Sequence, residues 1–158
     1  RARLCVLDYG CVQPIDEVAR RDLRALIRAA LDGADLGPIA PEALGLSVDD
    51  VTRDAVTPIV RRVLAPIIEP PPFRFTRDFA AEIGSAVTEA KLALAPRFVT
   101  RRSSLVAERP GVMMVVRNLF GLATIWGTLG ARGDFRALTE ELLREAPELS
   151  RDRSPPPS

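Results

Sequence analysis

Apolar residues recur every three or four positions along most of this chain. Only one stretch, Leu4-Cys5-Val6-Leu7, has the unbroken apolar character of a strand covered on both faces. That asymmetry limits the fold more than any other feature. A chain with a single good strand candidate must bury its apolar surface mainly helix against helix. The run itself needs a hydrogen-bonding partner, and the expectation is a strand encoded ahead of Arg1, so the chain reads as the later part of a longer protein.

The helical segments can be placed from their punctuation. Asp16, after Pro14, caps a first helix to about Leu31, with Leu23, Leu26, Ile27, Ala30 and Leu31 on one face and Gly33 as its stop. Arg20, Arg24 and Arg28 lie on another face and read as solvated or paired with acids. Ser47 and Asp50 resemble a capping box for a second helix, whose expected apolar stripe is Val48, Val51, Ala55, Ile59, Val63 and Ile67. Pro58 is expected to kink or restart it, with Thr57 as a new cap. Pro70-Pro71-Pro72 is a stiff connector. A third helix opens at Thr76 with Phe79, Ile83, Ala86, Val87, Ala90 and Leu94 inward, and Pro96 ends it. A strongly apolar fourth runs from Gly111 to Leu129. Asp134 caps a last one, Phe135 to Glu145, carrying Leu138, Leu142 and Leu143. The predicted class is mainly α: one N-terminal β-strand and about five helices over 1–149, then a disordered Pro-rich tail over 150–158.

Composition removes several function classes. With 22 basic against 21 acidic residues there is no broad basic surface, and no nucleic-acid partner is expected. Cys5 and Cys11 are the only cysteines and histidine is absent, too few ligands for a zinc site and no disulfide framework. Both cysteines read as small buried apolar groups. Arg97, Arg101 and Arg102 with Ser103 and Ser104 read as a solvated loop between helices. The segment 112–129 approaches the ~20 residues of a membrane span. Arg117 and Asn118 sit inside it, however, and Gly121 and Gly127 interrupt it. It is read as a buried helix in which Arg117 needs an acidic partner.

Asp8 is the residue best placed for chemistry. It ends the strand-like run, and Gly10 lets the backbone turn, so its carboxylate can project from the strand end into a cleft. A lone carboxylate there suits an Mg²⁺ that keeps several waters and bridges nucleotide phosphates. Asp-x-Gly after a strand is also a common plain turn.

The run Leu4-Cys5-Val6-Leu7-Asp8-Tyr9-Gly10-Cys11-Val12 resembles the segment of the AarF/UbiB atypical kinases in which a strand delivers the metal-binding Asp of a DFG-type motif. Tyr9 stands where that motif has Phe. An acidic helix start and Arg-Arg-x-Leu follow, in place of a long activation segment. Pro110 to Gly121, continuing to Leu129-Gly130, is similar to the apolar helix bearing Arg-x-x-x-Gly near the end of the same family's kinase-like region. The resemblance spans residues 3–145 and implies part of a kinase-like C-lobe, with the N-terminal lobe as a missing partner. It implies that Asp8, as catalytic and metal residue, and Gly10, as cofactor-binding residue, serve Mg²⁺ and ATP in the intact protein. It also implies a link to isoprenoid quinone biosynthesis or lipid homeostasis. Contact with lipid or a membrane surface, and a bacterial cytoplasmic location peripheral to the inner membrane, follow as expectations.

The remaining parts of such a site are not in this chain. Its only lysine, Lys91, follows the motif where a phosphate lysine would precede it. Its only asparagine, Asn118, is far downstream of where a second metal ligand belongs. Alone, the chain is expected to be catalytically incomplete. The alternative is a non-catalytic helical module that docks a partner or lipid through the apolar face around Val112 to Trp126.

Overall fold

The computed structural model describes residues 15–46, 48–99 and 110–145. The strand-like run, the Arg101–Ser104 patch and the Pro-rich tail all lie outside them. The described residues are mainly helical: α1 (Glu17–Leu31), α2 (Ala40–Ala43), α3 (Asp50–Val63), α4 (Ala65–Ile68), α5 (Arg77–Val99), α6 (Pro110–Leu129) and α7 (Phe135–Glu145). Two strands of two residues each, β1 (Phe73–Arg74) and β2 (Arg132–Gly133), pair antiparallel between them. The five long helices fall where the apolar periodicity places them, with α3 differing in its cap and its interior.

The caps show why. The Asp16 carboxylate accepts the Ala19 N–H at 2.7 Å, satisfying one of the orphan donors at the start of α1. At the other end Gly33 sits at φ 69°, and the N–H groups of Gly33 and Ala34 return to the carbonyls of Ala30 and Ala29 at 3.3 and 2.9 Å. Only a residue without Cβ takes that turn cheaply, which is why α1 stops there.

In α3 the cap is Asp49, whose carboxylate accepts both the N–H of Thr52 at 2.9 Å and its hydroxyl at 3.1 Å. Ser47 lies outside the described residues. With its hydroxyl satisfied so locally, Thr52 is fully buried. This turns the helix away from the expected stripe. Thr52, Val56 and Val60 face inward, whereas Val48 and Val51 are 62% and 44% exposed.

Pro58 neither breaks nor restarts α3, which runs through it to Val63. Thr57 makes no cap; its hydroxyl is buried without a hydrogen-bond partner. Pro96 likewise does not end α5, which runs on to Val99.

The core has two adjoining parts. In the first, Leu26, Ala30 and Leu31 of α1 meet Leu36, Ala40 and Ala43, Val56 and Val60 of α3, and Ile67 of α4. In the second, Phe73 and Phe75 with Phe79 and Ile83 of α5 meet Ala65 and the α6 residue Ala123. Phe135, the first residue of α7, packs against both.

Helix α6 departs from the expectation of a buried helix. Phe120, Ala123, Trp126 and Gly127 turn inward, while Leu119, Leu122, Ile125 and Leu129 are exposed. An amphipathic helix packed on one side against α5 needs only one apolar face covered. Among the described residues, no helix is long and apolar enough to cross a membrane.

Candidate functional site

Asp8 and Gly10, the residues singled out for metal and nucleotide chemistry, lie outside the described residues, as do Cys5 and Cys11. The element that follows them is α1, opened by its Asp16 cap. The described part of the chain therefore holds the helices that come after Asp8 in sequence and not the carboxylate itself.

Within those helices several acids have structural work. Asp16, Asp49 and Asp134 cap helices, the last by accepting the Ala137 N–H at 2.8 Å. Glu17, Asp50 and Glu140 pair with Arg20, Arg53 and Arg136 along their own helices. No group of three or more His, Cys, Asp or Glu among the described residues could hold a metal ion.

Three arginines bind elements together. Arg136 donates from Nη2 to the carbonyl of Leu31, the last residue of α1, at 2.6 Å and from Nη1 to the Ile67 carbonyl of α4 at 3.5 Å. One guanidinium thus serves the ends of two helices, where cations are favoured by the dipole and orphan carbonyls need donors. Arg62 at the end of α3 pairs with Glu82 of α5, lies 3.9 Å from Glu69, and stands 5.0 Å above the Phe79 ring. Arg24, expected on a solvated face, reaches the Leu143 carbonyl of α7 at 3.5 Å. Arg117, expected to need a buried acidic partner, is exposed, so no such pairing is required.

The aromatic residues gather where α5, α6, α7 and the ladder meet. Phe75 lies at the centre, its ring 5.2 Å from Phe73, 5.4 Å from Phe79, 4.9 Å from Trp126 and 5.0 Å from Phe135. The three phenylalanine contacts are edge-to-face, the favoured geometry at these separations, and Trp126 is tilted at 57°. Gly127 makes the approach possible. A Cβ there would sit 2.5 Å from the Thr76 carbonyl oxygen at the start of α5.

No family model, curated protein or solved structure matches the chain. Sequence reasoning passed over Arg136, Arg62 and the ladder. The ladder left no strand-length pattern, and nothing in one dimension indicates which carbonyls a guanidinium will reach.

Proposed function

We propose that this chain is the C-terminal part of an atypical protein-kinase-like ATPase or kinase of the AarF/UbiB type, with Asp8 as the metal-holding carboxylate. The observation that carries this reading is the run Leu7-Asp8-Tyr9-Gly10-Cys11-Val12 leading directly into a capped helix, α1, from Glu17. A carboxylate is the hard oxygen ligand that Mg²⁺ accepts. In the intact protein Asp8 would hold Mg²⁺ on the nucleotide phosphates, Gly10 would permit the turn beside it, and the helices would support both. When bound, Mg-ATP supplies the phosphoryl group. On this reading the phosphate lysine, the catalytic loop and the second metal ligand would come from an N-terminal lobe, since no lysine precedes Asp8 and histidine is absent in this sequence. A bacterial cytoplasmic protein peripheral to the inner membrane, serving quinone or lipid metabolism, is the accompanying reading.

The test is thermal stabilisation of the full-length protein by Mg-ATP, with Asp8→Ala beside the parent. At a hundred-fold excess over Kd, ligand binding contributes about 2.7 kcal/mol of stability. A shift in the parent that is lost in Asp8→Ala supports the reading. No shift and no hydrolysis in the intact parent would end it.

A second reading, a non-catalytic helical module that contacts a partner or lipid, is favoured by the exposed Leu119, Leu122, Ile125 and Leu129 on α6. It gains if the full-length protein ignores nucleotide while substitutions on that stripe abolish association.

A further inference from the structure

The short ladder holds an arrangement that its stability does not call for. Arg74 and Arg132 are directly opposite each other in the β1–β2 register. The Phe75 N–H donates to the Ala131 carbonyl at 2.8 Å, which makes Phe75 and Ala131 a hydrogen-bonded pair. Alternation then makes Arg74 and Arg132 a non-hydrogen-bonded pair, the kind in which side chains stand closest. Phe73 and Phe75 point into the core, so the two arginines share the outer face, and both are exposed. Like charges directly opposite are destabilising.

Among the described residues, no carboxylate forms an ion pair with Arg74, Arg132 or Arg77. Asp134, the acid nearest Arg132 in sequence, is used as the α7 cap, and Asp78, beside Arg77 in the first turn of α5, forms an ion pair with none of the three. The Arg74 Nη2 atom lies 3.8 Å from where a side chain on Gly130 would begin, just past the end of α6. The negative end of that helix favours one cation and leaves the second unaccounted for. Arg77, exposed in the first turn of α5, adds positive charge at a helix end that disfavours it.

We propose that Arg74 and Arg132 form a binding site for a phosphate-bearing ligand, whose oxyanion bridges the two guanidinium groups. A phosphomonoester carries about −1.5 to −2 charge and three acceptor oxygens, enough to engage both forks at once. A single carboxylate is filled by one. The site is independent of Asp8 and of the reading that rests on it.

The experiment uses the 158-residue chain at low ionic strength, with two probes. Inorganic pyrophosphate is titrated calorimetrically, and phosphatidylcholine vesicles with and without phosphatidic acid are used for co-sedimentation. Saturable binding to pyrophosphate identifies a soluble phosphate ligand; binding confined to phosphatidic acid vesicles identifies a lipid headgroup. R74Q and R132Q should each weaken the binding about ten-fold. R61Q, which removes an exposed arginine of α3, should leave it unchanged. R132E places a carboxylate opposite Arg74, so it should abolish binding while raising Tm, a combination that a merely structural pair would not give. The proposal is overturned if neither probe saturates, if R61Q weakens binding as much as R74Q and R132Q, or if R132E keeps the parent affinity.

Discussion

Arg136 ties two helix ends together with one side chain. Its guanidinium spans the ends of α1 and α4, so its loss leaves two helix-terminal carbonyls without their donor. Arg136→Ala should cost about 2 kcal/mol, in line with hydrogen bonds to charged groups, measured by urea denaturation. Arg136→Lys should recover only part of this, since an ammonium cannot fork between two carbonyls as a guanidinium does. Phe75 is the apolar counterpart. Four rings surround it, and Phe75→Ala should destabilise by about 3–5 kcal/mol through lost contacts and the cavity left behind. Gly127→Ala tests the opposite error. The new methyl would meet the Thr76 carbonyl, so α6 must move away from α5 at a cost of about 1–3 kcal/mol, with a change in Trp126 fluorescence.

At the scale of the elements, α3 is the most informative helix because it tolerates Pro58 in its interior. Proline is disfavoured there by about 3 kcal/mol relative to alanine, while its restriction of the unfolded chain returns up to about 1 kcal/mol. Pro58→Ala should therefore raise stability by roughly 2–3 kcal/mol and raise Tm, since the side chain is exposed. An unchanged or lower Tm would show that the freed Asp54 carbonyl is already satisfied. The same helix marks how far the sequence could be read. The long helices and the stops and caps at Asp16, Gly33 and Asp134 were legible because each depends on residues within a turn of one another. The inward face of α3 was not. A threonine counts as polar until its hydroxyl is known to be bonded by Asp49, and that bond lets Thr52 into the core. In α5, where apolar positions are unambiguous, Phe79, Ile83 and Ala90 are buried as their spacing predicts. Of the candidate site, the sequence offers Asp8 and Gly10 as chemistry, but Arg74 and Arg132 become a pair only through a register that two-residue strands do not announce.

For the whole molecule, the exposed stripe of α6 is separable from the fold. Ile125→Gln with Leu129→Gln should leave stability within about 0.5 kcal/mol of the parent, because both side chains are mostly in solvent. Solubility should rise, and light scattering at increasing concentration would register it. A loss of several kcal/mol would mean that this face is covered.

The placement of α7 bears on how the protein is made. Phe135 joins two parts of the core, and its neighbour Arg136 grips a carbonyl separated from it by 105 positions in the sequence. A ribosome delivers residues in order, at about 5–20 per second. Throughout that delivery α1 would stay without its fastening and the aromatic cluster would lack a wall. Only when α7 clears the exit tunnel can the earlier helices lock, so a nascent chain paused before residue 135 would present greasy surface that holdase chaperones recognise.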